Sequence, residues 1–327
     1  MLLNILVTIG INKYISKLLV ELFLFILSFI VQKNIIFNEK FNIKNNFEKL
    51  YSIFIVLLTI YFIFDTFLIS SSYQKVKNIK HEINSTNETI ITNDTYEDNN
   101  IKINIKTYYE YETQIYLVNI FINDPSYLKT AFAKDTFGKN ITETTSEMAK
   151  RNNAIIAING DYYGVQEKGY VLRNGVIYRN KSKNNKDLAI YKDGTFELFR
   201  EGNTSLEDLY NKGAYNVFAF GPGLIDNYEI IVSEKSKVRK EQNSNPRTAI
   251  GYIDSNHYIF VVSDGRSKES KGLSLYELAT FLNKFNIKTA YNLDGGGSST
   301  LYFNGNIINK PSSKEERSIS DIIYVGY

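Results

Sequence analysis

The run Asn292-Leu293-Asp294-Gly295-Gly296-Gly297-Ser298-Ser299-Thr300 gathers one carboxylate, three consecutive glycines and three hydroxyls behind a short apolar stretch. Glycines free the main chain and let another group approach it closely. The N–H groups of Gly295, Gly296 and Gly297, with the hydroxyls of Ser298, Ser299 and Thr300, would cradle a phosphate or another oxyanion. Asp294 falls at the predicted strand end, where a side chain can face a cleft. A glycine-rich hairpin whose aspartate satisfies its own turn has the same pattern, and no P-loop lysine accompanies the glycines. Spacing alone leaves both readings open.

A second cluster, Ala157-Ile158-Asn159-Gly160-Asp161-Tyr162-Tyr163-Gly164, repeats the grammar of buried strand, glycine, carboxylate and aromatics. Tyr162 and Tyr163 would offer a stacking face to a sugar ring; core packing of at least one of them is the competing reading. Arg173 follows in a strand-and-turn segment, and Arg247 and Arg266 each sit at a predicted strand edge or turn, the latter two residues after Asp264. Guanidinium groups in such places suit bidentate phosphate recognition, or a surface ion pair. The turn Phe220-Gly221-Pro222-Gly223 reads as architecture.

Composition narrows the chemistry further. The 327 residues include no cysteine, which excludes disulfides, thiolate nucleophiles and cysteine-ligated zinc. The two histidines, His81 and His257, lie in a polar stretch and a predicted turn, so a Ser-His-Asp triad is not expected. Catalysis must then rest on carboxylates, hydroxyls, basic side chains and backbone N–H groups. A net charge of +3, from 38 basic and 35 acidic residues, gives no broad nucleic-acid footprint.

The elements that must position these residues begin near residue 101. Alternating apolar positions predict strands over 101–105 and 116–122, and Asp193-Gly194 predicts a hairpin turn. Capping boxes at Thr144/Glu147 and Ser274/Glu277 open helices, the second with Leu275, Leu278, Ala279, Leu282 and Phe285 on one face. Strand pairs over 248–253 and 258–262, and a strand over 288–293, complete an α+β fold: a mixed, mostly antiparallel sheet with a few helices.

Upstream, residues 50–70 are apolar apart from Asp65 and match a bilayer core in helical length. Residues 18–37 contain a second, shorter apolar run that leaves spanning undecided. The lysines between them place the connector in the cytoplasm and the rest of the chain outside. The expected organisation is a membrane anchor region over 1–71, a polar tether over 72–100 and one domain over 101–327.

Taken together, the runs at 157–164, 169–175, 220–225, 245–251, 263–266, 272–279 and above all 292–300 resemble the phosphodiester glycosidase family, over about 101–327. The resemblance implies an extracellular, membrane-anchored hydrolase that splits the glycosyl C–O bond of a sugar-1-phosphodiester or phosphorylated surface glycan, in surface-glycan or exopolysaccharide metabolism. On this reading Asp294 is the leading catalytic carboxylate, with Asp161 a second catalytic candidate and Arg247 the phosphate clamp. Asn159, Tyr163, Arg173, Asp264, Arg266, Gly295, Gly296, Gly297, Ser298 and Ser299 bind substrate. Asp161 stands where many members carry a glycine or another small residue, and whether it, Asp264 or Glu277 supplies a second carboxylate stays open. No cofactor is required, although Ca²⁺ or Mg²⁺ on oxygen ligands fits the composition. Two other readings use the same loops: a non-catalytic module binding anionic glycans, and a metal-dependent phosphodiesterase cutting P–O bonds.

Overall fold

The computed structural model describes residues 89–236 and 244–327, together with Ile55, Gln74 and Lys75. The chain divides into two units, Met1–Ser71 and Ser72–Tyr327. The apolar runs over 18–37 and 50–70, apart from Ile55, lie outside the described residues. No helix among the described residues is long and apolar enough to cross a membrane.

Among the described residues the second unit has four sheets, three main ones and one of two strands, and every ladder in them is antiparallel. The largest has nine strands, in the order Glu229–Ile230, Gly223–Asp226, Thr289–Asn292, Thr248–Asp254, His257–Ser263, Thr113–Ile122, Ile101–Glu110, Thr95–Glu97 and Ile90–Ile91. A five-stranded sheet runs Val176–Arg179, Val171–Arg173, Ala214–Phe218, Lys186–Tyr191, Phe196–Arg200. Another runs Asn306–Ile307, Leu301–Phe303, Ile156–Asn159, Asp321–Val325, Leu128–Phe132. The expected mostly antiparallel pairing is found, and every ladder among the described residues is antiparallel.

Period-two alternation explains how the layers stack. On the strand Thr113–Ile122, Tyr116, Val118, Ile120 and Ile122 join a central core with Ile158, Ile323 and Val325 of one small sheet and Leu188, Ile190 and Phe218 of the other. Ile115 and Leu117, on the opposite face, pack under the helix Leu275–Asn283 through Leu278, Ala279 and Leu282. Each small sheet is covered in the same way on its outer face. Met148 and Ala149 of the helix Thr145–Arg151 meet Ala131, Ala157 and Ile322, and Leu206 and Leu209 of the helix Leu206–Asn211 meet Leu172, Ala189 and Val217. Both predicted capping boxes form, with Thr144 and Ser274 accepting from the backbone of Glu147 and Glu277; such caps contribute about 1 kcal/mol each.

The tether expected over 72–100 needs correction at its C-terminal end. Ile90–Ile91 and Thr95–Glu97 add two strands to the edge of the nine-stranded sheet. Asp98 accepts from the hydroxyls of Tyr96 and Tyr327, both at 2.6 Å, and from the backbone N–H groups of Asn100 and Ile101. Gln74–Lys75 also pairs with Thr136–Phe137. The folded unit therefore begins well before residue 101.

Candidate active site

The strand Thr289–Asn292 ends where the nine-stranded sheet meets the turn after Ile156–Asn159, and this junction sets the position of Asp294. The Asp294 N–H donates to the Gly160 carbonyl at 3.3 Å, its own carbonyl accepts from Asn159 Nδ2 at 2.6 Å, and its Oδ1 accepts from the Gly295 N–H at 3.0 Å. Its side chain is half-buried, in contrast to the fully buried residues on either side of the loop. From Gly296 the chain turns through a short 3₁₀ segment, Gly296–Ser298, with Gly296 at φ 63°.

Two arginines close on this segment. A Cβ at Gly296 would stand 3.1 Å from Nη2 of Arg266, and a Cβ at Gly297 would stand 2.5 Å from Nη2 of Arg317. The glycines are therefore spaces that the guanidinium groups occupy. Arg266 is exposed and its fork rests on Asn245 Oδ1, at 3.0 Å from Nε and 2.7 Å from Nη2. Arg317 is exposed as well, and no carboxylate or carbonyl among the described residues pairs with it. Beside them, the hydroxyls of Ser298, Ser299 and Thr300 and Oδ1 of Asn292 are buried with no hydrogen-bond partner. Buried polar groups are normally bonded, and four orphans in one nine-residue run are acceptors and donors free to serve a ligand or water.

Asp264 lies behind this cluster. Its Oδ1 accepts from the Lys310 N–H at 2.8 Å and its Oδ2 from the Tyr116 hydroxyl at 3.4 Å, and burial pushes its carboxyl up from the ordinary carboxylate range. Asn309 next to Lys310 bonds the Leu301 N–H and the Ser299 carbonyl. These bonds tie the loop leading to Arg317 against the hydroxyl run, so Asp264 acts on the loop from within.

Other residues singled out in the sequence have different duties. Asp161 is not in a cleft: it is 3 % exposed, its Oδ1 accepts from the Tyr163 N–H, and its Oδ2 accepts from the Ala219 N–H and pairs with Arg173 at 2.9 Å. Arg173 is 1 % exposed, also pairs with Asp321 at 2.8 Å, and lies over the Phe218 ring. Its fork is spent inside the protein and does not reach a substrate. Asn159 is fully buried, its Oδ1 accepting from Thr248 Oγ1 and the Thr300 N–H while its Nδ2 holds Asp294. Tyr163 packs in an aromatic cluster, stacked on Phe137 at 5.2 Å and edge-on to Phe132, and burial raises its hydroxyl pKa. Core packing, the competing reading for the paired tyrosines, holds for Tyr163.

Arg247 is buried, with Nε donating to the Leu273 carbonyl at 2.8 Å. The expected backbone cradle is also partly spent, since the Gly295 N–H serves Asp294 and the Gly296 N–H serves the Pro246 carbonyl at 2.8 Å. Hydroxyls and guanidinium groups are the donors left. Sequence reasoning missed Arg317, which follows Glu315 and Glu316 and reads as part of a solvated charge run. The signal lay at Gly297, whose missing side chain is the mark of a close neighbour. Among the described residues no three His, Asp or Glu side chains gather as a metal-ligand set. His257 stacks on Phe121 at 3.9 Å, away from this chemistry.

The phosphodiester glycosidase family model matches residues 152–326, which include Asp294, Arg266, Arg317 and the hydroxyl run. The chain is 28 % identical over 197 residues to the SPbeta prophage-derived uncharacterized protein YomE of Bacillus subtilis (strain 168), covering 58 % of this chain and 31 % of that protein. It is 27 % identical over 186 residues to the N-acetylglucosamine-1-phosphodiester alpha-N-acetylglucosaminidase of Bos taurus, covering 52 % of this chain and 35 % of the relative. The chain thus spans about a third of the length of these curated relatives. The fold is similar to the zebrafish N-acetylglucosamine-1-phosphodiester alpha-N-acetylglucosaminidase catalytic domain, auto-inhibited by pro-peptide, with a TM-score of 0.57 and 21 % identity over 79 % of this chain and 88 % of that one. A hypothetical protein from Synechocystis shares it at a TM-score of 0.56 and 16 % identity, over 70 % of this chain and 62 % of that one. With its match extending over more than half the sequence, the chain belongs to the phosphodiester glycosidase family.

Proposed function

We propose that the protein hydrolyses a sugar-1-phosphodiester at the glycosyl C–O bond, releasing free sugar and a phosphomonoester. The observation that carries this reading is the placing of Arg266 and Arg317 against Gly296 and Gly297, two and three residues from the half-buried carboxylate of Asp294. Guanidinium forks match phosphate oxygens and hold charge that does not titrate away. The phosphate clamp is thus assigned to Arg266 and Arg317 in place of Arg247. Ser298, Ser299 and Thr300 add neutral donors beside it.

In the reaction the bond between the anomeric carbon and the bridging oxygen breaks, its electron pair leaving with the phosphate, and water oxygen bonds to the carbon. Asp294 supplies negative charge opposite the positive charge developing on the sugar, and the water proton passes to solvent or to the departing phosphate. A phosphate leaving group is a weak base, so a second carboxylate acting as general acid is not required. The arginines strengthen this effect by neutralising the leaving oxygens.

The apolar runs upstream support anchoring in the cell membrane with this unit outside, acting on phosphorylated surface glycans or exopolysaccharide. Protease added to intact cells should then release a fragment carrying residues 101–327; release only after lysis contradicts that orientation. The chemistry is tested with a panel of sugar phosphodiesters in ¹⁸O-labelled water. Label in the sugar supports C–O cleavage, label in the phosphate supports a phosphodiesterase, and binding without turnover supports a glycan-binding module.

A further inference from the structure

The reaction as described leaves a buried charge cluster unused. Arg173 donates from Nε and Nη2 to Oδ2 of Asp321, at 3.0 and 2.8 Å, and pairs through Nη2 with Oδ2 of Asp161. Its Nη1 is taken by the carbonyls of Leu172 and Val217. One guanidinium thus faces two carboxylates, with all three side chains at most 1 % exposed.

This triad lies directly under the turn that holds Asp294. The Gly160 N–H donates to the Asp321 carbonyl at 2.8 Å, and Oδ1 of Asp321 lies so near that a Cβ at Gly160 would meet it at 2.4 Å. The Gly160 carbonyl and the Asn159 amide then grip the Asp294 N–H and carbonyl. A second path leads through Asp161, whose Oδ2 fixes the Ala219 N–H. The loop that follows holds Asn292, with the Gly221 carbonyl accepting from Asn292 Nδ2 at 2.8 Å and the Pro222 carbonyl from its N–H at 3.1 Å. Asp294 is thereby fixed both directly and through the residue two positions before it.

We propose that Asp321, acting through Arg173 and Asp161, is a positioning residue for Asp294: the triad locks the Asn159-Gly160-Asp161 turn, and the turn locks the Asp294 backbone. The inference rests on Asp294 being the reacting carboxylate. Its physical consequence follows from counting charges. Within the triad, a proton on Asp321 leaves Arg173 and Asp161 balanced; without it, one negative charge is left over among three buried side chains. The groups facing the triad are Tyr163, Tyr178, Tyr291, Asp187 and Arg179; the Arg179 guanidinium, bonded to the Gly169, Tyr163 and Gln166 carbonyls, offsets part of that extra charge, and Asp187 adds to it when ionised. Burial pushes the Asp321 carboxyl up to about 8, with Arg173 opposing and Asp161 adding to the rise. Because folding raises the value, the locked turn is favoured at low pH, and that advantage is lost as the pH climbs through about 8.

The test is amide hydrogen exchange on the full chain across that range. Above about 8, protection of residues 159–161 and 292–300 should fall by up to about tenfold per pH unit beyond the intrinsic base effect. The strands Ile101–Glu110 and Thr113–Ile122 should lose less, no more than the global stability falls over the same range. Asp321→Asn, which keeps an acceptor for Arg173 and cannot ionise, should abolish the fall and extend the alkaline limb of kcat on a diester. Asp187→Asn, at another buried carboxyl raised by its surroundings and one that feels Asp161 only weakly beside burial and Glu201, should leave most of the fall in place. Parallel protection of all segments in the wild type, or an undiminished fall in Asp321→Asn, overturns the proposal. If Asp321→Asn does not fold, the wild-type exchange profile decides alone. The exchange result needs no substrate, so a protein with this profile that turns over no diester overturns the functional reading and supports the positioning.

Discussion

Arg317 lies against Gly297 so closely that a Cβ there would stand 2.5 Å from its Nη2. The pairing joins a loop after the edge strand Asn306–Ile307 to the glycine run after Thr289–Asn292. It sets an exposed guanidinium beside the glycine run, and it makes Gly297 and Arg317 two ends of one contact.

Gly297→Ala should therefore act like a weakened Arg317. The methyl group pushes the guanidinium aside, while the exposed arginine end can move without disturbing the core. Arg317→Ala should raise KM for a diester by about tenfold to a hundredfold, the range for losing a hydrogen bond to a charged group, and Gly297→Ala should give a smaller rise in the same direction. Steady-state kinetics with thermal melts on both variants checks this. An unchanged KM in Arg317→Ala removes that arginine from the clamp.

Truncation should expose where the folded unit starts. A chain beginning at Ser72 keeps the edge strands and Asp98; one beginning at Ile101 loses the acceptor of Tyr327 and two sheet strands. The shorter chain should melt several degrees lower, since two charge-assisted bonds of about 1.5–3 kcal/mol each disappear. Equal melting temperatures would restore residues 72–100 to a simple tether.

The Asp187 carboxyl should make stability fall on the alkaline side. Asp187 and Glu201 are both fully buried, and Glu201 already accepts from the N–H groups of Tyr170 and Lys183. Burial, then the neighbouring Glu201, raises the Asp187 carboxyl well above its ordinary value, so the pair folds with a proton on it. A raised folded value stabilises at low pH and loses that contribution as the pH rises through it. Asp187→Asn should flatten the alkaline part of a melting-temperature profile. A profile with the same slope in both proteins removes the pair as its cause.

Much of this was legible in the sequence where the determinant was local. The capping boxes at Thr144 and Ser274, the Asp193-Gly194 hairpin and the strand into Asp294 each depend on residues within a few positions. Asp161 illustrates the opposite case: its neighbours suggest a cleft, and its role is set by Arg173 and by Asp321, 160 positions away in the chain. The strands at 90–97 hide in a polar stretch because they form an exposed sheet edge, where apolar alternation is not demanded. Arg317 has no local signature, since its only distinction is the glycine it meets in space.

The most direct test of the account is turnover of a sugar-1-phosphodiester by Asp294→Asn. The asparagine keeps the size and the acceptor for the Gly295 N–H and removes the charge. Asp294 is held through its backbone, so the variant should fold and melt close to the parent and still bind the phosphate through Arg266 and Arg317. Turnover should drop by about a hundredfold or more, the lower end for a positioned catalytic group. A folded Asp294→Asn protein that works at nearly the parent rate contradicts the account and returns Asp294 to a residue that only satisfies its own turn.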